Sequence, residues 1–319
     1  MRAVRYHETG GPEVLQVDED VPTPEPGHGE VRIDVAAAAV NPVDTYYRAG
    51  DYELPGLPAI PGDDVAGVVD AVGPGVGAWR AGDRVFGTGI GASGRGSYAE
   101  YATVPAGDLA ALPDGVSFAE GAAIAVVGVT AWRALVDHAD VEPAETCLIH
   151  GGSGGVGHAA VQIADAAGAT VTTTASDAYH DRLRTLGADA VLDYGRDDLA
   201  AAVTEVGAPD VIVDHRLNDY VGLDADVAAH GARVVGLGDT EPAATIPDVP
   251  SARAKELTVS LMSMYNTPDI GAVLDRLAGL LADGRLAPEI ERTYGLDEAA
   301  DAHRAVVEDS FFGKLVVEP

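Results

Sequence analysis

The chain has 319 residues, 47% of them hydrophobic, which is enough for two domains with substantial cores. Fifty-one acidic residues against twenty basic ones give a net charge of −31, which disfavours nucleic acid and anionic membrane surfaces as partners. The single cysteine, Cys147, excludes an internal disulfide and any multi-cysteine metal site.

The acidity is spread along the chain rather than gathered in a tail, and lysine occurs only at Lys255 and Lys314. Unscreened, such a surface repels itself. In molar salt the Debye length shrinks to about 3 Å, which removes the repulsion and keeps the solubility. This composition is read as adaptation to the salty cytoplasm of an extreme halophile; a cationic partner surface is the rival reading. Met1-Arg2-Ala3-Val4 runs straight into strand-like sequence without a signal peptide, and no apolar run is expected to reach membrane-spanning length.

In chain order, residues 1–120 read as mainly β. Val31–Val35 alternates with period two, and Val65–Val72 closes at Gly73-Pro74-Gly75. Gly82–Gly87 and Ser97–Val104 add strands between glycine-rich turns, which suggests a partly open barrel. Ser117-Phe118-Ala119-Glu120 opens a helix with a capping box. Strands and helices then alternate, with strands expected at Cys147–His150, Thr170–Thr174, Ala190–Asp193, Val211–Asp214, Arg233–Leu237 and Leu257–Met262. Such alternation implies a parallel sheet covered on both faces. Helices at Asp269–Asp283 and Leu296–Val307 and a strand Gly313–Val317 follow; this tail is too short for a domain and should return to the β part. The expected division is a β domain over 1–120 completed by 267–319, and a dinucleotide-binding domain over 121–266.

The segment Cys147–Gly157 is strand, glycine turn and helix start, with Gly152, Gly154 and Gly157 at the G-x-G-x-x-G spacing. In a βαβ unit these glycines give a tight turn, close approach to a pyrophosphate and close helix packing. The following helix offers free N–H groups and a positive dipole end to phosphate. Ala175-Ser176-Asp177 ends the second strand, and an acidic residue at that spacing points to the ribose 2′-OH of NAD. Cys147, on a strand, reads as an inert buried thiol. His138, His158 and His180 lie in helices without visible partners and read as surface residues.

The run Asn41–Tyr52, with Pro61–Val69, Gly128–Trp132, His150–Gly157, Asp193-Tyr194, Asn218 and Gly313-Lys314, resembles the zeta-crystallin-like quinone oxidoreductases of the zinc-free medium-chain dehydrogenase/reductase superfamily. The resemblance covers essentially the whole chain. It implies an α/β architecture, a GroES-like partly open β-barrel domain plus a Rossmann doubly wound parallel-sheet domain, with a cleft between them. It also implies a homodimer through the edge strand at 257–262. Zinc members place Cys near position 41 and Gly-His-Glu near 62; here stand Asn41 and Gly62-Asp63-Asp64, so no zinc is expected. The Asp63–Asp64 pair reads as a solvated or hydrogen-bonded strand start, with weak hard-cation binding as the other reading.

For the cofactor, the resemblance implies NADPH, against the NADH suggested by Asp177. The lysine that often meets the 2′-phosphate is replaced by Tyr179, leaving Ser176, Arg182 and Tyr194 as partners for the adenosine ribose and 2′-phosphate. By position, Tyr46 and Thr130 are expected near the nicotinamide, and Ser153, Gly154, Gly155 and Val156 on the pyrophosphate, within the turn Gly152–Gly157. Asn218, Gly236, Leu237, Gly238, Ser260, Leu261 and Met262 would line the nicotinamide ribose and ring. His215 and Arg216 replace residues that are apolar in the family.

The expected chemistry is hydride transfer. Reducing a simple ketone builds alkoxide charge that calls for a metal or a positioned acid. Reducing a quinone gives a phenolate-like anion of acidity near that of tyrosine, about 10, so one weak donor suffices. Asn41, Asp44, Tyr46 and Tyr52 are the candidate catalytic residues. Asn41 would donate to the acceptor oxygen, while Tyr46 and Tyr52 would stack on a flat ring and supply a proton; Asp44 and Arg48 alternatively pair to hold the loop. Quinones and α,β-unsaturated carbonyls (enones or 2-alkenals) both suit such a site. A nucleotide-binding protein without turnover is the reading from another class.

Overall fold

The computed structural model describes all residues, Met1–Pro319. The chain forms two compact units: one of Met1–Val129, Pro268–Gly284 and Pro288–Pro319, the other of Thr130–Thr267 and Arg285–Ala287.

The first unit is built on a seven-stranded sheet whose spine is Glu30–Val40. Along it run Ile290–Gly295, Lys314–Glu318, Glu30–Val40, Val65–Val72, Arg84–Gly87 and Leu109–Ala111, and Tyr101–Pro105 also pairs with the spine. Pairing is antiparallel except between Ile290–Gly295 and Lys314–Glu318. The register against Val65–Val72 shifts twice, between Arg32 and Ile33 and between Val35 and Ala37. Bulges of this kind bend and twist a long strand, which lets it serve two sets of neighbours. Gly67 marks a close approach of the two strands: a Cβ there would lie 2.1 Å from the Asp34 carbonyl oxygen. The interior is aliphatic, with Val31, Ile33, Val65, Val69, Val85 and Val104 packed together. A second cluster joins Ala38 and Val40 of the spine to Leu315, Val317 and the helix Ala299–Glu308. The C-terminal segment therefore returns to the β part, as its length requires.

The second unit is a six-stranded, wholly parallel sheet. Its spatial order is Ala190–Leu192, Thr170–Thr174, Thr146–Ile149, Val211–Asp214, Arg233–Gly236, Thr258–Leu261. Sequence order reverses between Thr146–Ile149 and Val211–Asp214, which is the topological switch point where doubly wound sheets bind ligands at their strand ends. Leu148, Ile212 and Val234 from three adjacent strands pack on Val203 and on Leu217 and Val221 of the covering helices. Burying such side chains stabilises the unit by about 1.5–3 kcal/mol each.

Two sequence expectations are corrected here. The helix Phe118–Trp132 continues through a π-helical turn, Arg133–His138, giving a 21-residue apolar helix, so one run does reach membrane-spanning length by length and composition. Its apolar window is 72% buried inside the protein, which accounts for the composition. His158 is not a surface residue: it is fully buried, with Nδ1 3.1 Å from the Gly154 carbonyl oxygen. His138 has partners too, Nδ1 lying 2.9 Å from Ser260 Oγ.

Candidate active site

In the first unit the sequence motif Asn41–Tyr52 forms a short helix, Pro42–Ala49, with Pro42 at its first position and Gly50 closing it in a left-handed conformation at φ 90°. Proline is tolerated at a helix start because its missing N–H has no partner there anyway, and glycine adopts positive φ without strain. The helix presents Tyr46, 42% exposed, and the chain after it presents Tyr52, 48% exposed. Their rings meet edge to face with centroids 5.6 Å apart, and Tyr47 packs on Tyr52 at 5.5 Å. A groove of about 420 Å³ opens beside Tyr46, Arg48 and Val307.

Behind this aromatic face the polar residues are turned inward. Asn41 is 2% exposed; its Nδ2 donates to Asp64 Oδ2 at 2.8 Å and its Oδ1 accepts from Lys314 Nζ. Lys314 Nζ also donates to the Val40 carbonyl at 2.9 Å. Asp64 Oδ1 accepts the Val126 N–H at 2.8 Å, and Asp63 accepts from the Gly91 N–H and the Thr88 hydroxyl. Asp44 Oδ2 accepts the Asn41 N–H at 2.9 Å. All these side chains are buried. Burial, then the neighbouring Asp63, hold the Asp44 carboxyl well above the usual range. Burial pushes Asp64 up to about 6 against the opposing pull of Lys314. The Lys314 ammonium is itself lowered by burial, with the three aspartates acting to raise it.

These contacts correct three expectations. Asn41 does not offer its amide to a substrate, because Asp64 and Lys314 already engage both ends. Asp44 is not an accessible catalytic acid. It does not pair with Arg48 either, whose Nε donates to the Gly10 carbonyl and whose Nη1 lies 3.2 Å from His303 Nδ1. Asp63 and Asp64, by contrast, form a hydrogen-bonded strand start, which is one of the two forms the sequence reading allowed. Sequence reasoning missed Lys314 as a member of this cluster; its signal was the near-absence of lysine elsewhere in the chain.

In the second unit the glycine turn joins the strand Thr146–Ile149 to the helix Gly155–Ala167. A Cβ at Gly152 would lie 2.2 Å from Thr173 Oγ1, and one at Gly157 would lie 2.1 Å from the Gly151 carbonyl oxygen. At Gly154 the space is open, with nothing nearer than that same oxygen at 3.5 Å. The helix that begins there has no side-chain cap. Open space over uncapped N–H groups fits a phosphate. Thr174 fastens the turn from the second strand, accepting the Gly151 N–H at its hydroxyl and the Gly152 N–H at its carbonyl. Cys147 is fully buried, its thiol pushed up to about 12 by burial and then by Glu145, so it is no nucleophile.

The switch point gathers Gly152, Asp214, His215, Asn218 and Gly236–Gly238 at neighbouring strand ends. Asn218 ties its loop to the next strand end, donating to Thr240 Oγ1 at 2.7 Å and accepting the Thr240 N–H at 2.8 Å. Ser176 follows the second strand, with Asp177 exposed, Arg182 half-buried and Tyr194 55% exposed. Thr130 lies in the apolar helix. On the edge strand Ser260 is engaged by His138, Leu261 is 73% exposed, and Met262, just beyond, is buried.

A GroES-like β unit and a doubly wound Rossmann unit in one chain define a dehydrogenase/reductase architecture. Family models agree: residues 27–114 match the alcohol dehydrogenase GroES-like domain, and residues 186–317 match a domain described as zinc-binding dehydrogenase. The chain is 36% identical to the human quinone oxidoreductase over 99% of its length and 97% of the relative's. It is 34% identical to the Pseudomonas aeruginosa quinone oxidoreductase, covering 100% and 99% of the two chains. Among solved structures, an NAD-dependent alcohol dehydrogenase superposes with a TM-score of 0.93 at 33% identity, covering 100% of both chains. The Escherichia coli quinone oxidoreductase complexed with NADPH gives 0.88 at 29%, again over 100% of both. The chain belongs to the quinone oxidoreductase-like, zeta-crystallin-type family of medium-chain dehydrogenases/reductases, and it is an oxidoreductase.

Proposed function

We propose that the protein reduces quinones with NADPH, without zinc. The observation that carries this reading is the division of the motif Asn41–Tyr52: Tyr46 and Tyr52 face solvent with Asp51, while Asp44 and the Asp63–Asp64 pair behind them are buried and hydrogen-bonded. A face of that kind can stack on a flat ring and donate a phenolic proton, but it offers no strong acid for an alkoxide. It suits an acceptor whose reduced anion is already stable, and quinones are such acceptors. The residues do not fit zinc. No group of three or more His, Cys, Asp or Glu side chains is arranged to hold a metal ion, and a lysine ammonium stands among the aspartates.

A bound nicotinamide supplies the hydride. The chain's own part is to receive the pyrophosphate on the N–H groups of Ser153–Val156 and to place Ser176, Arg182 and Tyr194 at the adenosine 2′-phosphate. Tyr46 and Tyr52 orient the ring of the acceptor and pass it the one proton that accompanies the hydride. The strand Thr258–Leu261, with Val259 and Leu261 exposed on an open edge, supports a homodimer joined there. The net charge of −31 supports a cytoplasmic setting at high salt.

The test is NADPH absorbance in molar KCl with o-quinones, p-quinones and enones, with NADH in parallel. Rapid loss with quinones supports the reading. Turnover with enones alone would move it to alkene reduction, and silence with the cofactor still bound would leave a nucleotide-binding protein without turnover.

A further inference from the structure

Beside the glycine turn lies a buried polar cluster that the proposed chemistry leaves unused. His150, at the end of the strand Thr146–Ile149, places Nε2 2.8 Å from Oδ1 of Asp224 on the helix Leu217–Val227, and neither side chain reaches solvent. Asp214 ends the adjacent strand; its Oδ1 accepts the Arg216 N–H at 2.7 Å. Asp214 and Asp224 stand within hydrogen-bonding reach of each other, and the Oδ2 atom of each has no donor. Tyr220 stacks on the His150 ring at 4.4 Å between centroids and 3° between planes. Two buried carboxyl oxygens in this relation are satisfied by one shared proton, which makes one group the donor and the other the acceptor.

The turn hangs on the same residue. The His150 N–H donates to the Val213 carbonyl at 3.0 Å, and the next residues, Gly151 and Gly152, are the ones fastened by Thr174. His215 donates to the His150 carbonyl and lies over Gly151, where a Cβ would come within 2.6 Å of its ring. This gives His215 a place that its sequence position did not reveal. The remaining charged or titratable groups around the cluster are the Arg216–Asp219 ion pair at 2.6 Å, Tyr220 and Tyr194.

We propose that Asp224 is a positioning residue for the dinucleotide: through His150 and a proton shared with Asp214, it holds the glycine turn in its phosphate-receiving form. The inference rests on the nicotinamide reading above. Burial and the facing carboxyl push Asp214 upward, and burial does the same to Asp224, so the pair keeps a proton near neutral pH. Burial pushes His150 down to about 4, leaving it a neutral donor to Asp224. Losing the shared proton leaves two buried anions against each other beside the turn. An anionic pyrophosphate adds to that repulsion, so the bound state favours the protonated pair. By linkage, cofactor affinity falls as the proton leaves.

The experiment is the dissociation constant of NADPH, read by its fluorescence in molar KCl from pH 7 to 9.5, above the titration of its own 2′-phosphate. The wild type and Asp224→Asn are compared, with circular dichroism to check folding. The wild-type constant should rise with pH, by at most about tenfold per pH unit for one linked proton. Asp224→Asn can accept from His150 and donate to Asp214 without titrating, so its constant should stay flat and near the wild-type value at pH 7. Asp224→Ala, which can do neither, should bind weakly throughout. A flat wild-type profile, or a slope unchanged in Asp224→Asn, overturns the inference while leaving the cofactor reading intact. Absence of binding by NADPH and NADH at every pH overturns both.

Discussion

Lys314→Met tests the buried cluster behind the tyrosine face most sharply. The substitution keeps much of the aliphatic stem and removes an ammonium that serves Val40 and Asn41 in the presence of three buried aspartates. Removing one partner from a buried charge cluster costs about 3–5 kcal/mol because the others are left uncompensated. That cost depends on pH in a definite direction. Asp64 titrates at about 6 in the folded protein, above its ordinary value, so the native state holds a proton that the unfolded chain releases. Stability contributed by that group is therefore present at low pH and lost as pH rises through 6. Without Lys314 the carboxyl moves higher still, and the loss deepens and extends towards neutrality. Urea unfolding in molar KCl should show Lys314→Met destabilised by several kcal/mol at pH 8 and by clearly less at pH 5. A loss equal at both pH values, or below about 1 kcal/mol at pH 8, would refute the electrostatic account.

Gly157→Ala places a Cβ 2.1 Å from a backbone oxygen and should abolish NADPH binding by equilibrium fluorescence, whereas Gly154→Ala, with 3.5 Å of clearance, should fold normally and weaken binding by obstructing the phosphate alone. Tyr52→Ala removes the edge-to-face contact that steadies Tyr46, worth about 0.5–1.5 kcal/mol, and should raise the quinone KM about two- to tenfold with little change in NADPH affinity; Tyr52→Phe should keep the wild-type KM. At a net charge of −31, Tm should climb steadily between 0.1 and 2 M KCl, and a Tm indifferent to salt would contradict the halophilic reading.

Much of the fold was legible because its signals are local. The period-two strands, the capping box at Ser117 and Glu120, and strand–helix alternation are written in short windows, and the capping contacts form as read. The glycine turn was legible for the same reason, its residues being adjacent in sequence. What stayed hidden depends on contacts between distant positions. Asn41 is 273 residues from Lys314, and their contact turns a candidate substrate donor into a buried hub. The His150–Asp224 bond spans 74 residues, and nothing at either position announces the other. His158 sits in a helix whose alanine-rich sequence gives little contrast between faces, so its burial could not be read from pattern.

The proposed reaction is hydride transfer from NADPH to a quinone with no part played by zinc. It is tested most directly by one measurement: the oxidation rate of NADPH deuterated at the transferred position, with p-benzoquinone in molar KCl, before and after exhaustive chelation. A primary isotope effect and a rate unchanged by chelation are expected, with metal content well below one atom per chain. Loss of activity on chelation, restored by zinc, would contradict it.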